Sequence, residues 1–383
     1  MAAPPRAGKA PRIAPSAGAR HYPAPMRRAV QGVLLFLLGA TLLWVLVRLF
    51  GEEQVRDELA RADRRLLAWA AVVFFTQFLT MGLRWWATLR LMGHEASAIS
   101  MLRGNALSNL VNFLAPGHFG EPLVAAWIQR SGRADGVPAF AALVGSKVLA
   151  TILSFAVLLA CIPLLLTRGT TTWLVQVGIT AGAIVVASIV AISLALSPRV
   201  ASWGAGLVGR WTAGGVGLLS ADSAERAGRT AEALVLGVRD SLANLGTRPA
   251  ALFASAGISA LKIASQIGFV LLLYGAFGAE LTVAGATFLV TVDVLQNAVS
   301  IWIPANLGVQ EAILTAAAAG GLAVDGAVAA SAAIAHKAIL IVHVAMGGVL
   351  FVLLGPLDRS RPEGATPRSR PSSGPSDPGD APP

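Results

Sequence analysis

Residues 105–122 read NALSNLVNFLAPGHFGEP, and residues 293–311 read DVLQNAVSIWIPANLGVQE. Both follow one plan. Polar residues spaced four and three apart (Asn105, Asn109 and Asn112; Asp293, Asn297 and Ser300) sit in an apolar stretch. That spacing puts them on one helix face. The stretch then breaks, at Pro116-Gly117-His118-Phe119-Gly120-Glu121 in the first case and at Pro304-Ala305-Asn306-Leu307-Gly308 in the second. A shift of 188 brings Asn105 onto Asp293, Asn109 onto Asn297, Pro116 onto Pro304 and Gly120 onto Gly308. A two-residue insertion then aligns Glu121 with Glu311, Asp135 with Asp325, Gly136 with Gly326 and Lys147 with Lys337. Alanine and leucine matches are cheap in an apolar chain. Matches of Glu, Asp-Gly and Lys in order are not, so the chain contains an internal repeat, with units at about 66–163 and 254–354.

The surrounding composition decides the solvent. Of 383 residues, 55% are hydrophobic and 13% charged, and the mean hydropathy is +0.68. Charge is about half the usual quarter, which excludes a disordered chain and an ordinary soluble enzyme. Six apolar runs, roughly 30–50, 66–86, 137–163, 173–196, 250–276 and 327–354, are long enough to cross a bilayer, which takes about 20 residues. The first is too long for a signal-peptide core and is preceded by 29 residues. The single cysteine, Cys161, excludes an intrachain disulfide and any cysteine-based metal cluster. The tails 1–29 and 356–383 are rich in Pro, Ala, Ser, Gly and Arg, without apolar periodicity. They read as disordered, flanking a membrane domain at 30–355.

Loop charge sets the orientation. The first 29 residues carry six Lys or Arg and no acid, which beside a span indicates a cytoplasmic flank rather than a nucleic-acid partner. The 84–103 segment carries Arg84, Arg90 and Arg103, and the 197–249 loop six Arg, whereas 277–326 has no Lys or Arg. With each broken stretch entering and leaving on one side, the basic segments share a side, and both termini are cytoplasmic at the cell membrane. Within the 197–249 loop, 222–245 reads as an amphipathic interfacial helix. Three spans separate the two broken stretches, so the second unit enters from the opposite side. The expected fold is therefore an all-α polytopic membrane protein: about six spanning helices plus two re-entrant hairpins, arranged as inverted repeats, as in secondary transporters. An inherited duplication without transport would leave the same trace.

Pro and Gly free backbone groups that lipid cannot satisfy, so such breaks belong inside protein or beside water. The half-helix after each break points its positive end inward and can hold a phosphate or carboxylate. An ordinary turn between short tilted helices would look alike, and a polar stripe can also glue helices together. The ionisable residues in the apolar layer are Glu121, Lys147, Lys262, Asp293, Glu311 and Lys337. An unpaired charge at mid-bilayer costs at least about 2.5 kcal/mol. Glu121 and Lys147 are 26 apart, as are Glu311 and Lys337, so pairing within each unit is expected. Capping of the following helix explains each Glu equally well. Candidate substrate-binding residues are Asn109, Asn112, Pro116, His118, Gly120, Glu121, Lys147, Asp293, Asn297, Asn306, Gly308, Glu311 and Lys337. His118, His336 and His343 lack metal-ligand spacing, and no catalytic motif is present. No metal, cofactor or catalytic residue is expected.

The arrangement resembles the transmembrane region of lysylphosphatidylglycerol synthases, a flippase-like integral-membrane family. The resemblance spans about 30–355 and rests on Arg84-Trp85 with Leu89 and Gly93, Asn109 to Pro116 with Gly120-Glu121, Lys147, and Pro304 with Asn306-Leu307-Gly308 and Glu311. It implies a domain that moves a lipid between leaflets, in some members an aminoacylated phospholipid or a polyprenyl-linked sugar. Ala125, Ser146 and Ala150 stand where the family often has Arg or acids. Some relatives carry a soluble transferase domain; none is expected here, since the 28 residues at 356–383 after the membrane domain leave no room for one. The expected function is a lipid flippase, not an enzyme, for an anionic or polyprenyl-linked lipid. A membrane-embedded lipid-carrier transferase, or a non-transporting partner of a separate cytoplasmic glycosyltransferase, are the competing readings.

Overall fold

A computed structural model of the chain describes residues 51–94, 96–114, 120–130, 136–166, 197–216, 247–299 and 306–356, with isolated helical positions elsewhere. The spans expected at 30–50 and 173–196 lie almost wholly outside the described residues, as do both tails, most of 222–245, and Pro116, His118 and Pro304. The described elements are all helical: α1 Glu52–Arg61, α2 Arg64–Leu91, α3 Ala98–Leu114, α4 Gly120–Arg130, α5 Gly136–Leu166, α6 Pro198–Val216, α7 Pro249–Ala276, α8 Val283–Val299, α9 Val309–Ala316 and α10 Gly326–Leu353. A π-turn, Ala317–Gly321, extends α9.

Local sequence starts these helices. The Asp63 carboxylate accepts from the N–H groups of Arg65 and Leu66 at 2.7 and 3.2 Å and opens α2. Asp325 does the same for Ala327 and Val328 at the start of α10. Each acid satisfies donors that a helix start leaves free. Before α3, Gly93 turns the chain at φ +91, and the Ser97 hydroxyl accepts from Ser100 N–H. Before α8, Gly278 turns it at φ +74, and Thr282 accepts from Gly285 N–H. A positive φ is sterically open to glycine.

Four helices, α2, α5 over Leu143–Cys161, α7 and α10, are long and apolar enough to cross a membrane. Their outer faces carry exposed Trp69, Val72, Phe253, Leu261, Val342 and Val349, as suits a hydrocarbon solvent. The shorter helices form hairpins. A Cβ on Gly120 would fall on the backbone of Ser108, and one on Gly104 would lie 2.9 Å from Val124, so α4 runs back along α3. In the same way Gln310 reaches Asp293, and Gly321 faces Phe288, so α9 runs back along α8. The 17 residues of α3 and of α8 extend only about 25 Å, against about 30 Å of hydrocarbon.

The first helices of the two units lie antiparallel over their whole length. Asp63 N–H bonds to Ala276 O, Phe74 packs on Phe269, Thr76 bonds to Ser265, Arg84 to Ser259, and Arg248 to Leu91 O. As numbers rise along α2 they fall along α7. Both helices have 28 residues, and their starts are 185 apart. Phe78 and Ile263 are therefore each other's counterparts, and a two-fold axis passes between them. The remaining packing obeys it: α3 packs on α10, and α8 on α5. An axis relating two antiparallel spans lies across them, in the plane of the membrane, so the units are inverted.

This symmetry corrects the register read from the sequence. The α2/α7 pair, the α3/α8 pair, the turn glycines Gly93/Gly278 and the caps Ser97/Thr282 are all offset by 185, not 188. The break that follows is longer in the second unit, nine residues against five. Beyond it α4/α9 are offset by 189 and α5/α10 by 190. Asn112 is thus the counterpart of Asn297, and Lys262 that of Gln77 rather than of Phe74. The matches at 188 arose because insertion in a break and conservative apolar composition let an intermediate shift collect identities.

Candidate functional site

The two units enclose a cavity of about 490 Å³. From the first unit it takes Arg84, Asn109, Asn112, Glu121 and Lys147. From the second it takes Lys262, Gln266, Asp293 and Asn306. A smaller cavity of about 170 Å³ shares Gln77, Gln266, Asp293 and Asn306 with it and continues toward Gln310 and His336. Groups flanking both breaks therefore face one polar space.

In the first unit the start of α4 is tied down by α3. Asn112 Oδ1 accepts from Gly120 N–H at 2.7 Å, and its amide donates to Glu121 at 3.2 Å. Gly120 is required, because its backbone rests on Ser108. Glu121 is buried and pairs with Lys147, whose side chain is partly open to the cavity. Asn109 lies one turn before Asn112 and lines the same wall.

In the second unit the corresponding acid is more deeply set. Glu311 is 0% exposed, and Lys337 Nζ lies 3.2 Å from its Oε1. Lys337 also donates to Gln310 Oε1 at 2.5 Å, and Gln310 Nε2 donates to Asp293 at 2.7 Å. Asp293 takes a further bond from Gln296. Gln310 stands at the turn position that Glu121 holds in the first unit, offset by 189. Gly308, at φ +75, precedes α9, and Asn306, at φ +51, lines both cavities. The side chain of Asn297 lies outside the described residues.

Both acid–lysine pairs expected from the 26-residue spacing are thus formed. Their settings differ. Glu121 and Lys147 reach the larger cavity, whereas Glu311 and Lys337 line neither of the two. Burial of a pair is tolerable because each charge has its counter-charge. The cavity's other cations are Arg84 and Lys262. The sequence places Arg84 among the loop charges, since an arginine near the end of an apolar run reads as a flank. In the structure α2 continues seven residues past it to Leu91, and Arg84 is 2% exposed. The signal was available: the apolar run extends through Trp85, Trp86 and Leu89.

Among the described residues no group of His, Cys, Asp and Glu could hold a metal ion. His336 and His343 pack edge-on against Phe74, and His336 also against Phe269.

An all-helical polytopic membrane protein, built of two inverted units around a polar cavity, is the class these features define. The chain belongs to the family of the lysylphosphatidylglycerol synthase TM region, whose model matches residues 31–347. The family places it in the membrane, in a lipid-related role. No curated protein and no solved structure matches the chain.

Proposed function

We propose that the protein is a lipid transporter that moves an anionic or polyprenyl-linked lipid between membrane leaflets, and that it is not an enzyme. The observation that carries this is the shared cavity: inverted units contribute Arg84, Lys147 and Lys262 against Glu121 and Asp293, an excess of positive charge inside an apolar shell. A charge held there is costly without a ligand or a role. The headgroup occupies the cavity between the breaks, and the acyl or prenyl chains stay in the bilayer. Asn109, Asn112 and Asn306 supply hydrogen bonds, and Lys147 can exchange Glu121 for a phosphate.

The location proposed is the cell membrane, with both termini cytoplasmic. The loop charges keep this orientation after Arg84 is removed from the count, because Arg90, Arg103 and Arg248 remain at the same end of the bundle as one another. Arg248 bonds to Leu91 O, joining the end of α2 to the start of α7. A separate cytoplasmic transferase is the partner this reading allows.

Reconstitution tests it. Proteoliposomes carrying labelled phosphatidylglycerol or a labelled polyprenyl phosphate are exposed to an impermeant quencher. The expected result is faster loss of signal than in protein-free vesicles, slowed by Lys147→Met. Equal rates with and without protein across the lipid panel would overturn the reading.

A further inference from the structure

The seam between α2 and α7 carries a second set of polar groups that the repeat motifs do not include. Gln77 and Arg84 are seven apart on α2, and Ser255, Ser259, Lys262 and Gln266 follow at four, three and four on α7. Those intervals keep each set on one helix face. Gln77, Arg84, Lys262 and Gln266 line the larger cavity. The α2/α7 register sets Arg84 beside Ser259, whose hydroxyl takes its Nη1 at 3.3 Å. It also sets Gln77 opposite Lys262.

What these groups lack is an acceptor. Arg84 Nε and Gln77 Nε2 are buried without a hydrogen-bond partner, and Ser255 Oγ is in the same state. Arg84 has no acid within ion-pair distance among the described residues, and Lys262 has there neither an ion pair nor a hydrogen bond. Buried donors left unpaired are costly, because they have lost their hydrogen bonds to water and gained none. Two cations in the apolar layer, with Asp293 the only carboxylate among the described residues lining the cavity beyond the Glu121–Lys147 pair, cost more. A ligand in the cavity that offers acceptor oxygens and negative charge would suit Arg84, Lys262 and Gln77, which line it.

We infer that Arg84, Lys262 and Gln77 form a phosphoryl-binding site on the α2/α7 seam, one that takes an anionic phosphate headgroup and rejects a headgroup bearing an added ammonium. An aminoacyl ester brings a cation into a wall that already holds two, while Asp293, the carboxylate on the same cavity, already accepts from Gln296 and Gln310. The anion site stands on the unpartnered donors alone; its lipid ligand rests on the transport reading.

The test uses the full chain in detergent, titrated with phosphatidylglycerol, with its lysyl ester, and with inorganic phosphate, while thermal unfolding is followed in parallel. Phosphatidylglycerol should bind saturably, and the lysyl ester at least tenfold more weakly. Lys262→Met should weaken phosphatidylglycerol binding at least tenfold while the unfolding temperature holds or rises, because the lysine has no partner to lose. A merely structural lysine would instead lower it. Arg84→Gln should act in the same direction on binding, and Lys262→Met keeps the test decisive if that variant folds poorly. Unchanged binding in a folded Lys262→Met variant would overturn the site, and equal affinity for the lysyl ester would overturn the selectivity. Phosphate binding without lipid binding would keep the anion site and remove its lipid ligand. Binding without movement in proteoliposomes would sink the transport reading and leave this one standing.

Discussion

Single residues carry different burdens at the two breaks. Gly120 is fixed by contact: an added Cβ would lie 2.7 Å from Ser108 Cα and closer still to its carbonyl. Backbone cannot yield as a flexible side chain can. Gly120→Ala is expected to cost about 1–3 kcal/mol as overpacking, read as a lowered unfolding temperature, and a neutral result would refute the close approach. Gly104 is looser in kind, since its nearest neighbour is the Val124 side chain. For the ion pair, Glu121→Gln and Lys147→Met should each destabilise more than the two together. Lys147→Met leaves the buried Glu121 alone, Glu121→Gln leaves the partly exposed Lys147 alone, and the double variant removes both charges. A double-mutant cycle on unfolding free energy measures this, and strictly additive losses would show that the pair is not coupled.

Among the elements, the long apolar spans and the two broken stretches were legible, and the register between units was not. The caps at Asp63 and Asp325 and the positive-φ turns at Gly93 and Gly278 emerge only from the structure. Asp325→Ala should cost about 1 kcal/mol and Asp325→Asn much less; similar losses would mean that the carboxylate's charge, not its capping bonds, matters there. The acid–lysine pairs were also readable, because a 26-residue spacing recurs in both units. The place of Arg84 shows only in the apolar run that continues past it to Leu89, since hydropathy falls at an arginine whether it leaves the membrane or turns inward to Ser259. Nor could the sequence rank Gln310 beside Glu311. Both sit in the first turn of α9, and only packing shows that Gln310 meets the cavity while Glu311 lies behind it.

At the scale of the whole molecule, parity of spans already implied inversion, and the α2/α7 seam supplies the geometry. Thr76 Oγ1 and Ser265 Oγ are 3.2 Å apart. Thr76→Cys with Ser265→Cys, in a Cys161→Ser background, should therefore crosslink under mild oxidation, while Thr76→Cys with Ser255→Cys should not. Crosslinking of the second pair alone would refute the antiparallel register. Cysteine-accessibility mapping of the N-terminus, the 197–249 loop and the C-terminus should place all three on one side, and labelling of any one from outside would undo the proposed orientation.

The seam's backbone is symmetric, but its chemistry is not. Through the two-fold axis, Arg84 with Ser259 exchanges places with Phe269 and Phe74. One end of the seam is thus a guanidinium on a hydroxyl, and the mirrored end a pair of tilted rings 4.7 Å apart with His336 and His343 against them. Two identical copies of one unit could lie in a bilayer either way up and be the same object. Here that indifference is gone. The molecule has a polar pole and an aromatic pole, and under the proposed transport a lipid passing along the seam meets them in an order that reverses with its direction of travel.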